Sequence, residues 1–295
     1  MKPFKGTTST PWTPAHFTRW PAYVQPKYDG IRCMTIDGVA TSASMKPLPN
    51  GYLQQHAKLW PNLLDGEIVS THGFLDAQSF CMTVDKLPHS GISYVVFDCF
   101  YDAPFATRFG GISIRMAATK QQLITHTIAP TYDFRTVGEL AHAVNSFCTT
   151  GEGAIIRSDS PYKCGRSTPR SQELLAVKPY ADSEGVIEGF YPLERNLNPQ
   201  EQNELGLSKR SSAQAGKHTD DLLGGFIVRL PDGTTFHLGG GFTTSQREAF
   251  WHARESTIGH SVTFKHQVFG AKDKPRQPIF KAIRHPLDTT LPDGV

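Results

Sequence analysis

The chain has 295 residues, with 30 Lys and Arg against 27 Asp and Glu, a formal charge of +3 and a pI near 8.5, so overall charge alone makes no case for nucleic acid. Its five cysteines, Cys33, Cys81, Cys99, Cys148 and Cys164, form neither a C-x-x-C pair nor a disulfide-like ladder, and no apolar run is long enough to cross a bilayer. These features exclude a disulfide scaffold and a helical membrane protein. The expectation is a soluble protein of a reducing cytoplasm, in a bacterium or in the host of a phage or virus, with length for one large domain or two ordinary ones.

The first half alternates short apolar runs with helix-like segments, which predicts a mixed α/β or α+β domain. Pro61 to Val69 reads as a strand entered through a turn. Val95-Val96-Phe97 and Ala154-Ile155-Ile156 read as buried strands, each with an acidic neighbour, Asp98 or Glu152. Phe134 to Thr149 has the apolar spacing of an amphipathic helix.

After Lys178-Pro179 the texture changes. Val186 to Phe190, Gly225 to Leu230, Thr234 to Leu238 and Val262 to Lys265 are short strand-like runs separated by Gly, Pro and Asp, which predicts a small β-barrel. Pro231-Asp232-Gly233 is a hairpin signal, and Ser245 to Ser256, with Phe250 and Trp251, predicts a helix packed on the barrel. The expected domains are 1–180 and 181–288, with a tail at 289–295. Asn196 to Asp221 is long, polar and poor in core formers, and is expected to be a mobile loop. Basic residues collect in Lys163 to Arg170, Lys209-Arg210 and Lys265 to Arg284.

The sharpest local feature is Pro26-Lys27-Tyr28-Asp29-Gly30-Ile31-Arg32. It sets an amine, a carboxylate and a guanidinium around a flexible glycine. A lysine becomes a nucleophile once neighbouring cations or desolvation favour its neutral form, and bound phosphate is then open to attack. Alone this pattern is weak, since a surface turn can carry it. No P-loop is present, and the twelve histidines lack H-E-x-x-H spacing and are expected at the surface or in structural roles.

Four more fragments follow in order: Asp65-Gly66-Glu67, Phe97-Asp98, Glu152 to Arg157, and Leu174 to Lys178. Jointly they resemble the nucleotidyltransferase motifs of ATP-dependent DNA ligases and mRNA-capping enzymes. Tyr162 to Thr168, Asp182-Ser183-Glu184, Ser208 to Ser212, Pro275 to Phe280 and Ile283-Arg284-His285 extend the resemblance to the smallest viral DNA ligases, over nearly the whole chain.

The resemblance implies an α+β nucleotidyltransferase (adenylation) domain followed by an all-β OB-fold domain, with a latch-like loop at about residues 196–221. It implies that Lys27 carries AMP, Glu67 holds the ribose and Phe97 stacks on adenine. Lys178 would sit on the α-phosphate. Glu152, with Asp29, would hold Mg²⁺, for which Mn²⁺ can substitute. Arg32 and Arg166 would engage the nucleotide or nick phosphate through their planar forks, and Lys209 and Arg210 the duplex. The implied cofactors are ATP and Mg²⁺. The implied partner is nicked double-stranded DNA, with no membrane and a monomeric state.

Two positions depart from the family pattern: Ala43 and Ala176 stand where the viral relatives carry cations, with Lys46, Lys163 and Arg170 as candidate replacements. Two rival readings stay open. One is an RNA ligase or other RNA-directed nucleotidyltransferase, although Arg276 to His285 lacks the R-x-D-K signature of capping enzymes. The other is a non-catalytic nick-binding protein.

Overall fold

The computed structural model describes residues 3–8, 17–117, 124–202, 208–211, 213–267 and 274–284. The chain divides into two compact units, Met1–Pro179 and Tyr180–Val295. Elements of the first run in the order β1 (Phe4–Lys5), β2 (Thr7–Thr8), β3 (Ala22–Pro26), β4 (Ile31–Ile36), β5 (Val39–Thr41), α1 (Gly51–Ala57), β6 (Leu64–Ser70), α2 (Phe74–Met82), β7 (Ile92–Cys99), α3 (Phe105–Ala117), β8 (Thr125–Ile128), β9 (Tyr132–Phe134), α4 (Val137–Thr150), β10 (Ala154–Ser158), β11 (Gly165–Arg166) and β12 (Leu174–Val177).

They build two five-stranded sheets, β2-β12-β10-β3-β9 and β5-β4-β6-β7-β8, beside the short pair β1-β11. Each sheet has its own apolar core. Val24, Ile156, Leu175 and Val177 pack with Leu140 and Val144 of α4. Cys33, Ile68, Tyr94 and Val96 pack with Leu53, Phe80 and Ile112 from α1, α2 and α3. The expected helix at Phe134 starts later, because Tyr132–Phe134 pairs with β3 as an edge strand. Thr136 then caps the helix, its hydroxyl accepting from Glu139 N, and such a cap marks a start that apolar spacing alone does not show.

The second unit runs β13 (Tyr180–Asn196), β14 (Gln200–Gln202), β15 (Ser208–Arg210), β16 (Lys217–Arg229), β17 (Thr235–Leu238), α5 (Thr244–His252), α6 (Arg254–Thr257), β18 (Ser261–Gln267) and β19 (Arg276–Ile283). Its sheet order is β17-β16-β13-β18-β19. A parallel bridge between Gly240, just past β17, and Ile279 of β19 joins the two edges, so the sheet closes on itself as an OB-like barrel. Phe226 sits at its centre, edge-on to Phe242 and Phe250 and 6.4 Å from the Phe280 ring. The turn at Pro231-Asp232-Gly233 forms as expected, with Leu230 N donating to Thr234 O at 2.9 Å. The single helix expected at Ser245 to Ser256 breaks at Ala253 into α5 and α6.

The segment from Asn196 to Asp221 is not the structureless loop that its polarity suggests. β13 and β16 pair as a ribbon as far as Asn196 and Lys217, and β14 pairs with β15, Gln200 opposite Arg210. Buried Asn198 ties the base: its amide donates to Asn196 Oδ1 and to the carbonyls of Ser211 and Ala213. The strands of this segment are polar in sequence, without apolar alternation, so hydrophobic patterning could not reveal them. Residues 203–207 and 212 of this segment, His285 and the tail at 289–295 lie outside the described residues.

Candidate active site

Side chains of a strand alternate between faces, and this rule assembles the site. In the first sheet Ala22, Val24, Ala154, Ile156, Leu175 and Val177 point into the core under α4. Their neighbours Gln25, Ile155, Arg157, Leu174 and Ala176 face the other way and line a pocket of about 280 Å³. The second sheet supplies Arg32, Glu67 and Phe97, and the strand ends add Lys27, Tyr28 and Lys178. Phe97 reaches the pocket through a β-bulge. The register runs Asp65 to Asp98 and then Gly66 to Val96, so Phe97 is the extra residue, and a bulge re-aims the side chain it carries.

At the floor of the pocket the Lys27 ammonium pairs with Glu152, and Lys178 Nζ lies 3.2 Å from the other carboxylate oxygen. Glu152 therefore stands between two cations, its side chain only 5% exposed. The backbone holds this arrangement, because Lys27 N donates to Gly153 O at 2.8 Å. Gly153 has φ of +137° and no room for a side chain, a Cβ there falling 2.0 Å from Val177 O. A glycine is thus required beside Glu152 where β10 and β12 close together.

The Arg32 guanidinium makes a two-pronged bond to buried Asp65, at 2.9 and 2.5 Å. Tyr162 supports it by donating to Asp65 Oδ2 at 2.7 Å. Arg32 lies in the pocket as expected, but its fork is engaged by Asp65 and its carbon centre sits 5.5 Å from the Phe97 ring centroid. The expected phosphate partner would have to compete with that carboxylate.

Burial pushes the Glu67 carboxyl up to about 8, with Lys27 and Arg32 pulling it down and Asp65 and Glu152 adding to the rise. The folded protein then holds a proton that the unfolded chain releases near 4.5, so the contribution of Glu67 to stability is lost as pH climbs through that interval. Glu67→Gln, neutral at every pH, should remove this slope. Its Tm relative to wild type should rise between about pH 4.5 and pH 8 and level off above, and parallel Tm-pH curves would contradict the shift.

The structure brings Lys27, Arg32, Glu67, Phe97 and Lys178 onto one pocket wall, with Glu152 bonded to two of them. Asp29 is partly buried and is not on that wall. Arg166 is exposed on β11, opposite Lys5 in register, and is also off the wall. Lys209 and Arg210 belong to the second unit, where Arg210 donates to Asn198 O and braces the ribbon. Of the basic segment Lys265 to Arg284, Lys281 pairs with Asp182 and Arg284 with Glu184.

Sequence reading missed several residues of the pocket. Gln25 donates to Phe97 O and accepts from Arg157 Nε, which joins the two sheets behind the site. Lys5 enters from the N-terminal strand to line the pocket beside Ala176, whereas Lys46, Lys163 and Arg170 do not line it. Lys163 instead pairs with Glu173 at 3.1 Å. Only the alternation around the lysine could have flagged Gln25; Lys5 carries no local signal.

Glu152, paired with the lining residues Lys27 and Lys178, is a hard oxygen donor, which fits a Mg²⁺ ion held by one carboxylate plus nucleotide phosphates. Neither Glu152 nor Asp29 is itself a lining residue of the pocket.

Residues 215–284 match the family model of the DNA ligase OB-like domain. Among solved structures the chain is similar to Chlorella virus DNA ligase-adenylate, at 29% identity over 97% of this chain and 99% of that one, with a TM-score of 0.54. It also shares the fold of a Lig E DNA ligase, at 20% identity over 95% and 99% of the two chains and a TM-score of 0.71. Bacteriophage T7 ATP-dependent DNA ligase shares the fold at 17% identity over 96% and 98%, with a TM-score of 0.51. No curated protein sequence matches the chain. With a match to the DNA ligase OB-like domain over residues 215–284 and similarity along nearly its whole length to a viral DNA ligase, the chain resembles the small ATP-dependent DNA ligases.

Proposed function

We propose that the protein seals 3′-hydroxyl/5′-phosphate nicks in duplex DNA with ATP, passing through a lysyl-AMP and then a DNA-adenylate. The observation that carries this reading is the Lys27 amine on the floor of a pocket walled by Phe97, Glu67 and Lys178, in contact with Glu152. Lys27 Nζ forms a bond to the α-phosphorus of ATP and pyrophosphate leaves. A 5′-phosphate oxygen then takes the AMP, freeing Lys27, and a 3′-hydroxyl finally displaces AMP as the phosphodiester forms. Each displacement needs in-line groups and neutralised charge.

In this reading Lys178 holds the α-phosphate, Glu67 the ribose, and Phe97 gives adenine an apolar face. Glu152 orients the Lys27 amine in the free enzyme and would be the residue that holds Mg²⁺, which would supply charge neutralisation when bound. The first unit acts as the adenylation domain. The second, with its ribbon carrying Lys209 and Arg210, engages the duplex, and the protein works as a monomer. Arg166, exposed beside Lys5, is assigned to the nick phosphate.

The test is incubation with Mg²⁺ and α-labelled ATP, followed by a singly nicked duplex. Label that withstands alkali but is released by acid, as a P–N bond requires, and that is discharged as the nick closes supports the reading. Label discharged only by nicked RNA would move the activity to RNA, and no label at all would leave a binding protein.

A further inference from the structure

We infer that His72, Asp76 and His89, on the surface of the first unit and separate from the nucleotide pocket, form a binding site for a divalent transition-metal ion of the zinc class. One ligand atom from each residue lies within 4.8 Å of the other two. His89 Nε2 is 2.8 Å from Asp76 Oδ2, and the two imidazole rings lie nearly parallel, 5.0 Å apart between centroids. None of the three lines the pocket.

The residues come from three segments that the backbone holds together: the turn after β6, the first turn of α2, and the loop leading into β7. Thr71 N donates to Gly91 O and Gly91 N to His89 Nδ1, both at 3.0 Å. A Cβ at Gly91 would fall 2.5 Å from Thr71 Oγ1 and 2.9 Å from His89 Cε1, so a glycine lets the loop come this close. Asp76 is pinned from two sides, by Ser70 Oγ at 2.6 Å on Oδ2 and by Lys86 Nζ at 3.1 Å on Oδ1. The Ser70 hydrogen bond, with His89 and Lys86, holds its carboxyl well below the usual range.

Two imidazole nitrogens and one carboxylate oxygen suit Zn²⁺, Ni²⁺ or Cu²⁺, whereas Mg²⁺ and Ca²⁺ prefer all-oxygen sets. A fourth position stays open to water. His89 Nε2, on the side facing Asp76 Oδ2, is the nitrogen placed to reach an ion shared with that carboxylate. His72, the exposed ring, turns its nitrogen inward. The bound ion would clip the loop before β7 to the end of β6, the strand that carries Glu67.

The experiment uses the full chain, stripped with a chelator and titrated with ZnCl₂ against a coloured zinc indicator, with Co²⁺ as a spectroscopic substitute. The expected result is one equivalent of Zn²⁺ bound, a zinc-dependent rise in Tm, and Co²⁺ bands of a nitrogen-oxygen site without thiolate charge transfer. His72→Ala and His89→Ala should each weaken zinc binding by at least about tenfold and remove the rise in Tm. His72 is exposed, so its removal leaves the fold intact. Failure of the wild type to bind zinc, unchanged binding by His72→Ala, or a thiolate band from exposed Cys164 would each overturn the assignment.

Discussion

Lys27→Ala should leave no covalent nucleotide on the protein, with labelling by ATP reduced more than about a thousandfold, a barrier increase of at least about 4 kcal/mol. No other amine replaces it, because Lys178 is held across Glu152 and Lys5 enters from a different strand. Lys27→Arg should fail equally. A guanidinium stays protonated and delocalised at any working pH and has no free electron pair for phosphorus. The fold should survive either change, since the Lys27 side chain is 22% exposed and Glu152 keeps Lys178 as a partner. The check is gel autoradiography of both variants beside their thermal melts. Persistent label on Lys27→Ala at wild-type Tm would place the nucleophile elsewhere.

Asp98→Ala should destabilise the first unit by about 3–5 kcal/mol and lower its Tm by roughly 10 °C. Asp98 is fully buried. It accepts Arg108 Nε and Nη2 at 2.9 and 3.2 Å and Arg157 Nη1 at 2.8 Å. Without it two guanidinium groups, 1% and 4% exposed, lose their counter-charge while remaining out of water. Burial already pushes the Arg157 guanidinium below its usual value, with Asp98 the main opposing influence. Arg157 also lines the pocket and Phe97 adjoins Asp98, so ATP binding should weaken with the fold. Calorimetry or a circular-dichroism melt decides it, and a shift under about 2 °C would show that the network contributes little. Asp98→Asn, which keeps acceptor oxygen but no charge, should fall between.

Both results concern residues that sequence reading singled out, but for different reasons. Lys27 stood out through its company: the amine, carboxylate, glycine and arginine pattern is weak alone, and gained weight from the four fragments that follow it in order. Asp98 was visible only as an acidic residue beside a buried strand. Its partners lie 10 and 59 residues away, and nothing in the local pattern points from Asp98 to Arg108. The same holds for Tyr162, whose hydroxyl reaches Asp65 across 97 residues.

Local patterning by itself determined the strands around Val96 and Ile155, the turn at Asp232-Gly233 and the change of texture after Pro179. Each follows from side-chain period or turn chemistry, which act over a few residues, whereas the ordered set of motif residues was legible through family resemblance. Tertiary structure alone decided which of those residues share a pocket. It set the bulge that aims Phe97, the carboxylate that occupies Arg32, the arrival of Lys5 beside Ala176, and the pairing that turns a polar stretch into a ribbon. These depend on register and on long-range hydrogen bonds between groups that carry no apolar signal, and such pairings exist only once the sheets have formed.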